Sequence, residues 1–241
     1  MKKHPFLLIS LFATILFQSC INPNCITGIG SIENDQREIG EFDEIELKTD
    51  FDVIIKERVM GDNNKLEVRA QNNLLPYIKT TVEGGRLIID TEGCVQATSP
   101  IEIFVKVNEI SALKLTGSGE ITSKNTLHSD NMTVSCDGSG SVNVQVKAEN
   151  ITIANSSSGY VKVDGKATHT KISLAGSGEI DAEFLKADEA DIVLTGSGSV
   201  KAHASQKIDM NQSGTGSITY YGNPNQKTEL TTGPGSIIRK D

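Results

Sequence analysis

The sequence LKLTGSGEI at residues 113–121 returns as ISLAGSGEI at residues 172–180 and as IVLTGSGSV at residues 192–200. Each copy has a serine between two glycines, a run before it in which alternate residues are apolar, and an isoleucine or valine three positions after it. Variants of the motif bring the total to seven, at spacings of 21, 19, 19, 20, 18 and 19 residues, and the central residues are Ser118, Ser139, Ser158, Ser177, Ser197, Thr215 and Pro234. A sustained period of this length predicts a repeat architecture.

The copy at residues 113–121 shows how each coil is predicted to be built. Leu113 and Leu115 fall on one face of an extended chain, whereas Lys114 and Glu120 fall on the other. A period of two is typical of a half-buried β-strand. A strand, a glycine corner and a second strand, repeated about every 19 residues, predict an all-β fold. The architecture that fits is a parallel β-helix, or solenoid, in which each coil buries its apolar face against its neighbours.

The glycines beside the central residues are predicted to form the structural corners. We expect them to point inward, because a side chain there would collide with the interior of a narrow bend, and we expect the central residues to point outward. The copy centred on Ser158 has Ser157 in place of the first glycine, which predicts a local widening. The predicted corner residues are Gly117, Gly119, Gly138, Gly140, Gly159, Gly176, Gly178, Gly196, Gly198, Gly214, Gly216, Gly233 and Gly235.

The outward hydroxyls are predicted to form a ladder along one edge, since adjacent coils lie about 4.8 Å apart. Tyr160 is an aromatic residue at an outward position beside this ladder. The candidate surface contacts are therefore Ser118, Ser139, Ser158, Tyr160, Ser177, Ser197 and Thr215.

The sequence predicts no catalytic residue, no metal ligand and no cofactor. A nucleophilic serine needs a base within hydrogen-bond reach, but His128, His169 and His203 fall in other parts of the coil. The acidic run at residues 181–191 is interpreted as a solvated surface, because it lacks the repeated aspartates of calcium-binding β-rolls. A sugar-cleaving β-helix enzyme, which needs paired carboxylates in a groove, is kept as the weakest alternative.

The amino-acid composition limits the classes of ligand that the chain can bind. The chain has 23 Lys and Arg against 31 Asp and Glu, for a net charge of −8, and it has no Trp. Binding to nucleic acid is excluded, because neutralising phosphates requires clustered basic side chains. Thirteen of the 22 glycines flank the corner centres, so the glycine content reflects the repeat and not a disordered chain.

The first 20 residues are typical of an export signal. A short basic start and an apolar run at residues 6–17, too short to span a bilayer, precede Cys20. Residues 1–20 resemble a bacterial lipoprotein signal peptide with Cys20 as the lipidation site, although Phe17 stands where leucine is usual. An ordinary secretory signal is the alternative. Residues 21–37 are interpreted as a tether, and the predicted membrane contact is through the lipid anchor.

The rest of the chain is predicted to be one domain, at residues 38–240. Residues 38–110 form a less periodic β region, interpreted as the first, wider coils and a cap, and residues 111–240 form the Gly-Ser-Gly coils. Asn155 and Gln212 occupy positions where other coils have leucine, which indicates either inward amides or an open face.

Three cysteines remain after the signal, so a full disulfide framework is excluded. A bridge between Cys25 and Cys94 is compatible with an oxidising compartment, but the sequence leaves this pairing open. Cys136 would then be the unpaired thiol.

The motifs FDEI at residues 42–45, NLLPY at 73–77 and LII at 87–89, followed by the Gly-Ser-Gly corners, resemble the putative auto-transporter adhesin, head GIN domain family of exported Bacteroidetes proteins. The resemblance covers residues 38–239. It implies a right-handed parallel β-helix on a secreted or lipid-anchored chain. It also implies a role in adhesion, for which the family defines no catalytic residues.

Three functions follow from these observations. The favoured one is a lipid-anchored, non-enzymatic β-helix that binds a polysaccharide or a protein at the cell envelope. The second is a structural envelope protein that assembles through solenoid edges, which an uncapped apolar coil near Ile237 would favour. The third is the carbohydrate-active enzyme. Ile21, after the lipid site, resembles an outer-membrane sorting signal, but the absence of acids at residues 21–30 leaves the periplasmic and surface faces both open.

Overall fold

A computed structural model describes residues 25–58 and 65–241. The predicted signal peptide, Cys20 and the first residues of the predicted tether lie outside the described residues. Strands β1 to β9 are Ile26–Thr27, Ile32–Glu38, Glu44–Leu47, Asp52–Glu57, Lys65–Gln71, Ile78–Glu83, Arg86–Thr91, Val95–Gln96 and Glu102–Val107. Strands β10 to β18 are Ala112–Leu115, Glu120–Cys136, Ser141–Asn155, Tyr160–Leu174, Glu179–Leu194, Ser199–Gln212, Ser217–Tyr221, Gln226–Thr231 and Ser236–Lys240. One 3-10 turn, Leu75–Tyr77, lies between β5 and β6.

The second half of the chain is a stack of parallel coils. Strands β11 to β15 each run from one glycine corner to the next, and each pairs in parallel with the strand that follows it. In one ladder Val142 lies between Ile121 and Val161, and Ile180 follows. The prediction of an all-β parallel solenoid with coils of about 19 residues is confirmed.

Inward ladders of branched apolar side chains form the interior. Burying one such side chain contributes roughly 1.5–3 kcal/mol, so most of the stability comes from stacking one coil on the next. The members of one ladder all have an exposed fraction of 0%: Val53, Ile121, Val142, Val161, Ile180, Val200 and Ile218.

The corner glycines are required by the stacking of backbones, which corrects the reason inferred from the sequence. A Cβ on Gly138 would overlap the carbonyl oxygen of Gly117, and a Cβ on Gly196 would overlap that of Gly176. The second glycine of a corner also faces the interior, since a Cβ on Gly198 would meet both the Gly178 carbonyl and a side chain below. Positive φ angles occur at other glycines and at none of these corners. Close approach between coils therefore leaves no room for a side chain at Gly138, Gly196 or Gly198.

Asn155 and Gln212 are inward amides. Both are buried, at 1% and 0% exposure, and both donate hydrogen bonds to corner carbonyls instead of to each other along the ladder. Asn155 Nδ2 donates to Gly159 O at 2.7 Å, and its Oδ1 accepts the backbone N–H of Ser157 at 3.0 Å. Gln212 Nε2 donates to Gly214 O at 2.6 Å. The corner that lacks its first glycine is thus held by the side chain of Asn155.

These two amides are expected to respond differently to replacement by leucine. Asn155→Leu leaves the Ser157 N–H without its acceptor, and we expect a loss of about 2 kcal/mol in unfolding free energy. Gln212→Leu removes an Oε1 that is buried without a partner, so we expect no loss. The carbonyls of Gly214 and Gly216 keep backbone donors from the next coil. Urea denaturation of both variants measures the difference, and equal losses would contradict this account of the Asn155 amide.

The order of the lowest coils does not follow the chain. Strands β3 and β4 form one coil, with a corner at residues 49–51, that lies between two later segments. On one side β3 and β4 pair with β7 and β9, and on the other they pair with β10 and β11. Ile45 is therefore beside both Leu87 and Leu113. The chain leaves this coil, builds the level beneath it, and then returns above it.

Antiparallel strands close this end of the solenoid. Strand β6 pairs with β7, β5 pairs with β9, and β2 pairs with β5, all antiparallel. Strand β2, Ile32–Glu38, belongs to this cap, although residues 32–37 were interpreted from the sequence as part of a tether. Its backbone N–H and C=O groups pair with those of residues 65–71, which explains why a mostly polar segment is ordered. None of the described residues forms a helix long and apolar enough to cross a membrane.

A disulfide joins Cys25 to Cys94, with 4.5 Å between the two Cα atoms. It brings β1 beside β8, and the two strands pair in parallel. This settles the pairing that the sequence left open. Cys136 is a buried free thiol, and burial raises its pKa.

The opposite end of the solenoid finishes on a coil with charged inward positions. Lys227 lies beside Ile208, and Glu229 beside Met210, so charges occupy two positions that are apolar in the coil below. Lys227 Nζ is 3.0 Å from Glu229 Oε1 and lies over the ring of Tyr220. Inward charges on the last strands discourage edge-to-edge pairing between molecules, and a polar terminal repeat is what a stacked architecture needs to stay soluble.

Candidate functional site

A shallow groove of about 540 Å³ runs along the glycine corners of the last five coils. It crosses four steps between coils, or about 19 Å at the usual spacing of paired strands. The second glycine of each corner lines the groove between two rows of outward residues. The first row is Ser158, Ser177, Ser197, Thr215 and Pro234, and the second is Tyr160, Glu179, Ser199, Ser217 and Ser236.

The hydroxyls of the first row are free to meet a ligand. The six central Ser and Thr residues from Ser118 to Thr215 are exposed. Within residues 25–58 and 65–241, none of their hydroxyls bonds to another protein group, and none of their N–H groups bonds to a backbone carbonyl. Unpaired polar groups at a surface are satisfied by water or by a ligand. The ladder therefore offers donors and acceptors at regular intervals.

The second row was missed by the sequence interpretation, apart from Tyr160. Tyr160, Glu179, Ser199 and Ser217 are direct neighbours along one parallel ladder. They stand two positions after the corner centres, so the alignment that found the corners already contained the signal. The groove thus has Ser or Thr hydroxyls on both sides at two successive coils, those of Ser197 and Thr215.

An ion-pair cluster borders the second row. Lys201 Nζ lies 3.0 Å from Glu179 Oε1 and 3.0 Å from Asp181 Oδ2. The hydrogen bond to Glu179, and then the one to Asp181, raises the pKa of Lys201. Lys162 is likewise paired with Asp164, at 3.2 Å, and this bond raises the pKa of Lys162. Because these charges are paired with each other, the groove itself is polar without a strong net charge.

Tyr160 closes one end of the groove. Its side chain is half-buried beside Glu179, and burial, followed by the charges of Asp181 and Glu179, raises the pKa of its hydroxyl. The phenol therefore stays protonated at neutral pH and can donate a hydrogen bond, while its ring offers an apolar face.

The predicted contacts fall into two groups. Ser158, Tyr160, Ser177, Ser197 and Thr215 line the groove, whereas Ser118 and Ser139 lie on the same ladder below it. The structure therefore brings five of the seven candidates together.

The histidines whose side chains could take part in catalysis lie outside the groove. His169 Nδ1 is 3.4 Å from Glu189 Oε2. His203 has a buried Nδ1 without a partner, and burial, followed by Lys186, lowers its pKa. In the described part of the chain, no histidine hydrogen-bonds to a central hydroxyl, and no group of three or more His, Cys, Asp or Glu side chains could hold a metal ion.

Solved structures from Bacteroidetes have the same fold. A putative adhesin from Bacteroides fragilis superposes with a TM-score of 0.83 at 22% identity, covering 89% of this chain and 100% of that one. A structure from Parabacteroides distasonis described as a putative lipid binding protein gives a TM-score of 0.73 at 25% identity, covering 90% of this chain and 99% of that one. A putative adhesin from the same organism gives 0.70 at 20% identity, covering 90% and 100%.

No curated protein sequence is similar enough to count as a match. The sequence model of one family does match, over residues 41–224. This range contains the low coil at residues 44–57, most of the cap and six of the seven corners. The resemblance first noted in the corner motifs is confirmed, and the chain belongs to the putative auto-transporter adhesin, head GIN domain family.

Proposed function

We propose that this protein is an exported, lipid-anchored, non-enzymatic module that holds an extended polysaccharide in the groove along its last five corners. The observation that carries this proposal is the row of unpartnered hydroxyls, repeated at four successive coils from Ser158 to Thr215. An extended glycan also presents hydroxyls at regular intervals, so it can form similar bonds at successive coils. Tyr160 supplies one apolar surface on which a sugar ring can pack.

The polarity of the groove argues for a glycan over a lipid. The relative described as a putative lipid binding protein raises the second ligand class. An acyl chain binds in a pocket lined predominantly by apolar side chains. Here the lining is supplied by serines, Thr215, glycine backbone, Glu179, Tyr160 and one proline, Pro234. An acyl chain would remove water from the polar groups without giving them new partners.

Export to the cell envelope is supported by the N-terminal pattern and by the disulfide. Disulfides form and persist in oxidising compartments, and Cys25 and Cys94 are joined. We place the protein at the outer membrane, attached through Cys20.

Assembly into a structural polymer is disfavoured by the terminal coil. End-to-end stacking needs apolar inward positions at the end of the solenoid, but Lys227 and Glu229 occupy two of them. Leu230 and Ile238 are exposed, at 52% and 46%. They lie at outward positions, beside Asn211 and Thr219. We therefore expect the protein to elute from size-exclusion columns as a monomer at all concentrations.

The groove can be tested with paired serine variants on a glycan array. Ser177→Ala with Ser197→Ala removes two hydroxyls from the groove, and we expect about tenfold weaker binding to the best glycan, because each lost hydrogen bond costs about 0.5–1.5 kcal/mol. Ser118→Ala with Ser139→Ala removes two hydroxyls of the same ladder outside the groove, and binding should stay unchanged. Titration calorimetry with the selected glycan measures both.

Two results would contradict the proposal. One is equal weakening by the two pairs of substitutions, which would place the ligand elsewhere. The other is no binding to any glycan together with concentration-dependent polymerisation on size-exclusion chromatography, which would favour the structural role.

A further inference from the structure

Two large apolar side chains are exposed at the end of the solenoid opposite the groove. Ile29 is 66% exposed and Ile32 is 46% exposed. They lie three residues apart, between β1 and the first residue of β2. We refer to them as the Ile29/Ile32 patch. Two such side chains within four residues of the chain give a small local apolar surface, and contiguous exposed apolar surface is typical of interaction sites.

The patch belongs to the outermost strand of the cap. Strand β5 pairs with β9 on one side and with β2 on the other, so β2 lies two strands beyond the lowest parallel coil. Levels can be counted along one ladder from that coil to the last: Glu102, Asp52, Glu120, Ser141, Tyr160, Glu179, Ser199, Ser217 and Ser236. The groove begins at the fifth level, about 19 Å above the first.

The segment that holds the patch is fastened to the cap. Cys25 is joined to Cys94. The N–H of Ile29 donates to Asn73 Oδ1 at 2.8 Å, and Asn73 Nδ2 donates to Thr27 O at 2.9 Å. These bonds fix residues 25–29 on the body of the protein, so the patch has a defined position.

The lipid anchor must reach the membrane from this same end. Cys20 is five residues before Cys25, and five extended residues span at most about 17 Å. The disulfide holds Cys25 on the cap, so a lipid on Cys20 holds the cap close to the bilayer. The groove, at the other end, is held away from it.

We propose that the Ile29/Ile32 patch rests in the boundary between headgroups and acyl chains of the membrane that carries the lipid. The solenoid then stands on its cap and presents the glycan groove at its far end. This inference rests on the lipid anchor of the proposed function. The occupant is the membrane surface because that is where the lipid on Cys20, five residues before Cys25, is inserted. The acidic Glu33 and Asp35 begin immediately after the patch, which limits the contact to the two isoleucines.

The absence of tryptophan from the chain allows a direct test. Full-length lipidated protein carrying Ile29→Trp or Ile32→Trp is reconstituted into phosphatidylcholine vesicles that contain a phospholipid with a quencher near the headgroup. The matched controls are Leu230→Trp and Ile238→Trp, which replace exposed apolar residues in the last coil. We expect about threefold stronger quenching at the patch, because an interfacial apolar face enters about 5–10 Å into the bilayer boundary.

Equal quenching at the two ends would overturn the proposal, because the solenoid would then have no fixed orientation. Weak quenching at all four positions, in protein whose Cys20 carries acyl chains by mass spectrometry, would also overturn it. Absence of acyl chains would overturn both this inference and the anchor of the proposed function. The serine variants on the glycan array report on the groove independently, so the two failures are distinguishable.

Discussion

Gly196→Ala is expected to lower the free energy of unfolding by about 3 kcal/mol, the upper end of the usual cost of overpacking, because the contact is between rigid backbones. The added methyl would overlap the carbonyl oxygen of Gly176 in the coil below. That oxygen is part of a stacked backbone and cannot rotate away as a side chain could. Relief requires the two coils to separate, and separation weakens the ladder bonds on both sides of the corner, including the one from Gly198 N–H to Gly176 O at 3.3 Å.

Thermal and urea denaturation of the variant measure this loss, which corresponds to a fall in midpoint of about 10 °C for a chain of this size. Gly40→Ala is the matched control, since a methyl there would make ordinary contacts of 3.9 Å with Val82 and Gly40 has no positive φ. A Gly196→Ala protein as stable as the Gly40→Ala protein would contradict the claim that backbone stacking selects glycine.

The repeat and the interior were predictable because both are local in the sequence. Glycine pairs every 18 to 21 residues mark the corners, and alternation around Leu113 and Leu115 assigns the inward face. Hydrophobic periodicity reports burial directly. The same reasoning could not identify the atom with which a side chain at each corner would collide. The Gly176 carbonyl that faces Gly196 belongs to another coil. Alignment of the corners brought the hydroxyls of the groove together, but nothing in that pattern set Ser118 and Ser139 apart from the rest.

The repeat period and the apolar alternation of the sequence do not predict the cap or the order of the low coils. Ile45 pairs with Leu113, which is 68 positions later in the chain, and the residues between them build the lowest coil and most of the cap. A repeat of about 19 residues does not predict a pairing at this distance. Strand β2 was interpreted as tether because only Ile32 is apolar in its seven residues. An edge strand of mostly polar residues has no hydrophobic alternation. Its pairing with β5 comes from backbone bonds and from the polar side chains of Gln36 and Arg37, which bond to Glu67 and to the Leu75 and Ile78 carbonyls.

Removing the disulfide with Cys25→Ser and Cys94→Ser is expected to cost about 4 kcal/mol of unfolding free energy. The bridge closes a loop across a sequence separation of 69, and a crosslink of this span removes about that much loop-closure entropy from the unfolded chain. The closed loop contains the low coil at residues 44–57 and most of the cap. Without the bridge, the low coil and the cap lose a covalent constraint, and the cap lacks the regular stacking of the repeat coils. The cap should therefore unfold at a lower denaturant concentration than the upper coils.

Denaturation with and without a thiol reductant isolates the effect of the bridge. Reductant should lower the midpoint of the native chain to that of the double variant and leave the variant unchanged, since the buried Cys136 is common to both. Hydrogen exchange should show the loss first at residues 26–38, which pair with β8 and β5. Identical midpoints for the native and variant proteins would show that β2 and the Asn73 bonds hold the cap without the bridge. If the loss occurs as expected, the disulfide also fixes the Ile29/Ile32 patch, and the double variant should lose the contrast in quenching between the two ends.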